Sequence, residues 1–172
     1  MTARSCGTCS LCCKVLPVGS LFKPAGKWCA HCRQGSGCSS YQLRPQACHD
    51  FNCLWLEETW LGEEWKPEVA KFVMSYEYDA RCLSIHVDPN QPHAWKREPY
   101  QGLLRAISER HLDDNKVVMI VEPTRRTLLL PDQEIVLGGR DEVFTWEITR
   151  KPGAGKPEYD IMFDRVVAEK VA

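Results

Sequence analysis

The 172-residue sequence lacks the features that carry a chain into or across a membrane. Its longest uncharged apolar run lies at residues 117–121, whereas a membrane-spanning helix needs about 20 apolar residues. The opening residues, Met1 to Cys6, contain no apolar stretch of the kind that defines a signal peptide. We therefore expect a cytoplasmic protein that makes no contact with a membrane.

Motifs of common enzyme families are also missing. The sequence contains no glycine-rich phosphate-binding loop of either standard spacing. It has no Gly-x-Ser-x-Gly turn that would expose a nucleophilic serine. The histidines of the C-terminal part, His86, His93 and His111, are well separated along the chain. We assign no catalytic residue and favour a protein that is not an enzyme.

Acidic residues are scarce in the first third of the chain. Residues 1–53 carry six Lys and Arg but only one acid, Asp50, which gives a net charge of +5. The remaining 16 basic and 22 acidic residues give residues 54–172 a net charge of −6. Because phosphate contacts need a basic surface, the acidic larger part argues against nucleic-acid binding. The basic residues are better interpreted as counter-charges that lower the pKa values of thiols.

Cysteine is abundant, and its distribution carries the main functional signal. Nine of the ten cysteines lie between Cys6 and Cys53, in three Cys-x-x-Cys pairs, a vicinal pair and three single positions. Reducing compartments disfavour disulfides, so dense cysteines there indicate metal ligation. A Cys-x-x-Cys turn places two sulfurs where they can share one ion. The predicted metal ligands are Cys6, Cys9, Cys12, Cys13, Cys29, Cys32, Cys38, Cys48 and Cys53.

The identity of the metal stays open at this stage. Two closed zinc sites would use eight of the nine cysteines, which predicts about two ions per chain. Closely spaced thiolates suit iron–sulfur clusters as well. His31 and His49 lie beside cysteines, but we prefer surface positions for both. Cys82 stands apart from the others and is expected to be a small buried residue.

Hydrophobic periodicity predicts an α+β fold. A cysteine-rich, metal-bound segment (residues 1–65) would pack on a curved antiparallel sheet with one main helix (residues 66–172), in one compact unit. A short helix is expected within 51–65, ended by Pro67, and the main helix at 99–112. Alternating residues predict strands at 72–78, 83–87, 117–121, 127–130, 134–137, 144–149 and 159–163.

The cysteine motifs also resemble a known family. The run Cys6-x-x-Cys-x-x-Cys-Cys13 is followed by the segment from Gly37-Cys38 through Arg44-Pro45 and Cys48 to Phe51. Over roughly residues 6–60 the chain is similar to the CxxCxxCC (YkgJ-type) cysteine-cluster family, described as a zinc- or iron-chelating domain. The resemblance implies metal chelation by these cysteines and implies no particular reaction. Tyr41, Phe51 and Trp55 would then shield the sulfurs from water.

Three functions from different classes remain open. The first is a metal-binding protein that holds zinc or iron through its N-terminal thiolates. The second is an iron–sulfur redox protein, or an accessory subunit of an enzyme. The third is a zinc-organised module that binds an unidentified protein partner.

Overall fold

The computed structural model describes residues 4–77, 81–140, 142–152 and 158–166. One long helix and several one-turn helices occur in these ranges. The helices are α1 (Cys12–Val15), α2 (Gln46–His49), α3 (Leu54–Glu57), α4 (Pro67–Ala70) and α5 (Tyr100–Asp113), with 3-10 turns at Gly19–Leu21, Tyr41–Leu43, Glu63–Trp65 and Ala94–Lys96.

The strands form three separate sheets in the described part of the chain. The strands are β1 (Cys32–Arg33), β2 (Gly37–Cys38), β3 (Phe72–Glu77), β4 (Cys82–Val87), β5 (Val117–Val121), β6 (Arg125–Leu129), β7 (Glu134–Gly139), β8 (Val143–Arg150) and β9 (Tyr159–Val166). The central sheet has the order β3-β4-β5-β6-β7, while β1-β2 and β8-β9 each form a two-stranded sheet.

The central sheet is mixed, which corrects the antiparallel prediction. Strands β4 and β5 pair in parallel, with Cys82 opposite Val117 and Ile85 opposite Ile120. The reason is that helix α5 lies between them in the chain, so β5 re-enters the sheet in the same direction as β4. The other neighbours in this sheet pair antiparallel. Of the hairpin turn that the sequence predicts at residues 79–81, Asp79 and Ala80 lie outside the described residues.

Helix α5 covers one face of the central sheet. Its buried residues Leu104 and Ile107 pack in the core on this face, whereas Leu112, near its C-terminal end, packs with Cys82 and Val117. An aromatic cluster lies at the edge of this core, where the ring centroid of Tyr100 is 4.9 Å from that of Trp65 and 5.1 Å from that of Phe72. Edge-to-face pairs of this kind add about 0.5–1.5 kcal/mol each beyond the area they bury. This face therefore forms the principal core.

A second core lies on the opposite face of the sheet. The buried residues Cys82, Val117, Met119 and Leu128 contact apolar side chains of the β8-β9 hairpin there, among them Trp146. The hairpin is thus a separate two-stranded layer and does not extend the central sheet. Both faces of β5 are covered, so all five of its residues are buried.

The region from Phe51 to Trp65 differs from the predicted single helix. Helix α3 makes only one turn, and a 3-10 turn at Glu63–Trp65 follows it. Pro67 occupies the first turn of α4 and does not end a helix. Its fixed φ and missing N–H suit a first helical turn, where the N–H has no intrahelical partner.

The cysteine-rich segment is joined to the sheet by a few specific contacts. Leu11 and Val15 pack on Val73 of β3. The Lys14 ammonium forms a buried ion pair with Asp88, with Nζ 2.5 Å from Oδ1. These contacts fix α1, and with it the vicinal cysteines, against the edge strand of the sheet.

Helices long and apolar enough to cross a membrane are absent from the described ranges.

Candidate metal centre

Four short segments bring the N-terminal cysteines together around one cavity. The cavity has a volume of about 410 Å³. Eight of the nine predicted ligands line it, namely Cys6, Cys9, Cys12, Cys13, Cys29, Cys38, Cys48 and Cys53. The ninth, Cys32, is connected to two of them, because its amide donates to the Cys29 carbonyl at 3.0 Å and it lies opposite Cys38 in a strand pair. The structure therefore gathers cysteines that are as far as 47 positions apart in the chain.

Local structure explains how each segment presents its sulfurs. The first Cys-x-x-Cys turn is closed by the Cys9 amide, which donates to the Cys6 carbonyl at 2.9 Å. The Cys29–Cys32 turn is closed in the same way, because the Cys32 amide donates to the Cys29 carbonyl at 3.0 Å. Cys38 lies directly opposite Cys32 in the β1-β2 hairpin. Each of these turns thus orients two thiols from the same side of a tight backbone bend.

The walls of the cavity are largely apolar. Its lining includes Leu16, Leu21, Leu43, Phe51 and Trp55. Tyr41 lines it as well, as predicted together with Phe51 and Trp55. An apolar lining limits the access of water to the sulfurs and strengthens their interaction with a cation.

One group of thiols is centred on Cys13. The interaction with the Cys12 thiol is the main reason that the pKa of Cys13 is raised, and the Cys32 thiol also acts on it. Burial raises the pKa of Cys32 to about 11. Cys48 belongs to this group electrostatically, because the charges of Cys13, Cys29 and Cys38 act on it.

A second group is formed by Cys6, Cys9 and Cys53. Burial raises the pKa of Cys53 to about 11, although the backbone amides of Trp55 and Leu56 donate hydrogen bonds to its sulfur. Burial also raises the pKa of Cys9, whose sulfur accepts from the amides of Leu11 and Glu68. Amide donors favour the thiolate form, but burial outweighs them at both sulfurs.

Two cations adjoin the thiols, as the charge distribution of the sequence suggested. The positive charge of Lys23 acts to lower the pKa of the Cys13 thiol. The positive charge of Arg44 acts in the same way on the Cys48 thiol. The pKa of both thiols is nevertheless raised, by the Cys12 thiol at Cys13 and by burial at Cys48. Lys23 and Arg44 therefore act on the thiols in the expected direction, but other effects outweigh them at Cys13 and Cys48.

Lys23 is held at this position by backbone carbonyls. Its side chain is buried, and its ammonium donates to the carbonyls of Lys14, Leu16 and Pro24. Burial lowers the pKa of Lys23, whereas Cys29 and Cys13 act to raise it. A buried ammonium beside thiols is stabilised when those thiols become thiolates.

The other basic residues of the segment serve different purposes. The Arg4 guanidinium donates to the carbonyls of Trp55 and Glu58, each at 2.8 Å, and to that of Leu61 at 2.6 Å. Lys14 pairs with Asp88. These two cations therefore connect the chain ahead of the cysteines, and helix α1, to the rest of the protein.

The neighbouring histidines and Cys82 take the positions that the sequence favoured. His31 and His49 line the cavity but are exposed, and the Nδ1 atom of His31 is 3.3 Å from the Ser40 hydroxyl. Cys82 is completely buried in the second core of the sheet, and burial raises its pKa to about 12. Cys82 therefore serves as a reference cysteine outside the cavity.

The contribution of Glu68 could not be found from the sequence. Its backbone amide reaches the Cys9 sulfur, and its carboxylate accepts a hydrogen bond from the Thr8 hydroxyl at 3.2 Å. Glu68 is 59 positions beyond Cys9, and no sequence pattern links the two. The short α4 turn at the end of the cysteine segment creates this contact.

The donor set fits zinc or iron by its chemistry, because thiolates are preferred ligands of both. All ten cysteines are free thiols. Across residues 4–77, 81–140, 142–152 and 158–166, no three His, Cys, Asp or Glu side chains already lie at the mutual distances that hold a metal ion.

Comparisons with known proteins identified no relative of this chain. The chain matches no family model, and searches of curated proteins and of solved structures also found no match. The resemblance to the CxxCxxCC family therefore rests on the cysteine motifs alone.

Proposed function

We propose that this protein binds zinc or iron through its N-terminal cysteine thiolates. The observation that carries the proposal is the convergence of eight cysteines, from four separate segments, on one apolar-walled cavity. The proposed ligands are all nine cysteines between Cys6 and Cys53, and about two ions would occupy them. The bound ions would organise the segment, and no catalytic step is assigned to them.

The weak secondary structure of the segment supports this proposal. Between Cys6 and Cys53 the helices and strands have two to four residues each. Apart from the short α1 contact, these elements bury few apolar side chains. Elements this short gain too little from burial to order themselves, and metal cross-links supply the missing free energy in many small domains.

Metal binding is also compatible with the protonation state of the thiols. Where the pKa is raised, as at Cys32 and Cys53, the metal-free thiol is protonated at neutral pH. An incoming ion displaces these protons and draws the thiolates inward to its coordination distance. Such a site requires reduced cysteines, so the proposal includes a reducing cytoplasmic location.

An iron–sulfur cluster is the second candidate. The specific observation in its favour is the set of amide N–H groups that donate to the sulfurs of Cys9 and Cys53. Hydrogen bonds to cluster sulfurs tune the reduction potential of iron–sulfur centres. In that case the protein would transfer electrons or serve an enzyme as an accessory subunit.

Elemental analysis and a visible spectrum of protein purified without oxygen test both candidates. About two zinc ions per chain and no colour would support structural or chelating zinc sites. Iron with matching acid-labile sulfide and a brown colour would support a cluster instead.

Serine variants provide the matched control. Cys12→Ser and Cys48→Ser should lower the metal content, because both side chains line the cavity. Cys82→Ser should leave it unchanged, because Cys82 is buried in another core. Equal metal content in all three variants would refute the proposal.

A further inference from the structure

We propose that the nine thiols divide between two adjacent metal sites, and that the vicinal pair Cys12 and Cys13 supplies one thiolate to each. This inference rests on the proposed metal-binding function and adds the assignment of ligands to it. The first site, called the core-side site, consists of Cys6, Cys9, Cys12 and Cys53. The second, called the loop-side site, draws on Cys13, Cys29, Cys32, Cys38 and Cys48.

The core-side site is defined by packing on the edge of the sheet. Cys9, Cys12 and Cys53 all pack against the buried cluster of Leu11, Val15 and Val73. Cys6 joins them, because its backbone closes the turn to Cys9 and its charge acts on Cys53. These four thiols are the number that a closed tetrahedral site needs.

The loop-side site is defined by contacts among the remaining cysteines. The Cys29 amide donates to the Cys13 carbonyl at 3.0 Å, and the Cys32 amide donates to the Cys29 carbonyl at 3.0 Å. Cys38 faces Cys32 across the β1-β2 hairpin. Cys48 lines the same cavity as Cys13, Cys29 and Cys38, and the charges of these three residues act on it. A tetrahedral site needs four of these five thiols as ligands, which leaves one thiol unbound.

The geometry of α1 separates the two sites at the vicinal pair. Consecutive side chains of an α-helix point about 100° apart, so neighbours on a helix cannot easily bind the same ion. Cys12 packs with the Leu11 cluster, while the Cys13 carbonyl accepts a hydrogen bond from the Cys29 amide. Because Cys12 and Cys13 are consecutive residues, the two sites adjoin.

Lys23 lies at the junction of the two sites. Its charge interacts with Cys29 and Cys13 of the loop-side site and with Cys12 of the core-side site. A divalent ion with four thiolates retains an excess of negative charge, which a buried cation offsets. The position of Lys23 thus matches two neighbouring anionic centres.

The test uses two matched double variants of the full chain, each lacking one Cys-x-x-Cys pair. Cys6→Ser with Cys9→Ser removes half of the core-side ligands. Cys29→Ser with Cys32→Ser leaves the loop-side site with three of its five thiols. The reduced, metal-free proteins are loaded with cadmium, and bound ions are counted by native mass spectrometry and resolved by cadmium-113 NMR.

We expect two ions and two resonances in the unmodified chain. Each double variant should bind one ion and retain a different resonance, and the quadruple variant should bind none. Loss of both ions in either double variant would overturn the division in favour of a single shared cluster. Retention of both ions in either one would show that the ligands are assigned wrongly. An unmodified chain that binds no metal would instead refute the proposed function itself.

Discussion

The cysteine segment and the central sheet are stabilised by different means within one chain. In β4 and β5, all residues of both strands are buried. In the segment from Cys6 to Cys53, Cys6 is exposed and the other eight cysteines are only partly buried. The sheet is held by apolar side chains that have left water, whereas the cysteine segment lacks an apolar interior of comparable extent.

This difference divides the chain into a well-packed base, formed by the central sheet with α5, and a cysteine segment with little apolar burial. The sheet and α5 share a continuous apolar core with side chains of residues 54–70, among them Trp55, Leu61 and Trp65. The cysteine segment contacts that base at α1 and through Arg4. Under the proposed function, its remaining order would depend on the bound metal. Stability is therefore expected to be uneven along the chain, with the lowest values around the thiols.

Metal removal should produce the largest effect and should affect the two regions unequally. Structural zinc in small metal-folded units contributes about 10–16 kcal/mol. We expect backbone amides of residues 12–53 to lose hydrogen-exchange protection in the chelated, reduced protein. Amides of β4 and β5 should keep theirs, because their burial is independent of the thiols. Equal loss of protection in both regions would show that the sheet also depends on the metal.

A substitution in the apolar core should lower the stability of the sheet and leave metal binding unchanged. Leu104 is completely buried under the sheet, so Leu104→Ala should lower the free energy of unfolding by about 2–5 kcal/mol. The number of bound metal ions should not change. Leu43→Ala is the matched control near the thiols, because Leu43 is 88% exposed and its truncation removes little buried area. Urea unfolding and metal analysis would separate the two effects, and a large stability loss in Leu43→Ala would contradict this comparison.

A smaller effect is expected from pH, through a histidine within the sheet. Burial lowers the pKa of His86 below its usual value of 6.5. The unfolded state therefore takes up a proton at a higher pH than the folded state, so stability should fall as the pH drops below about 6.5. The slope from one such group is at most about 1.4 kcal/mol per pH unit.

Urea unfolding of the metal-free protein between pH 8 and pH 5 would measure this slope. The variant His86→Asn should show a shallower decline than the unmodified chain. His111 adds to the decline in both proteins, because burial lowers its pKa as well. Identical slopes would mean that His86 does not set the acid sensitivity of the sheet.

Much of the sheet could be predicted from local patterns. Residues 117–121 and 83–87 are apolar or alternating runs bounded by polar residues, and they form β5 and most of β4. The main helix was predicted within one residue at each end, at Tyr100–Asp113. The parallel pairing of β4 with β5 could not be predicted, because strand order depends on contacts between distant residues.

The same distinction applies to the candidate metal centre. Cysteine spacing indicated which residues could be ligands, and the cavity brings eight of them together. Spacing could not reveal that the Glu68 amide reaches Cys9, or that Lys23 is buried among backbone carbonyls. Both contacts join segments that share no periodic pattern. They arise from the path of the chain between its short helices.

By itself, the sequence determined the α+β class, the main helix and the set of nine candidate thiols. It could do so because hydrophobic periodicity and Cys-x-x-Cys turns act over a few residues. The tertiary structure alone decided the mixed sheet, the separate β8-β9 layer and the arrangement of the thiols around one cavity. Those features depend on packing between residues far apart in the chain, where burial and electrostatics outweigh local preference.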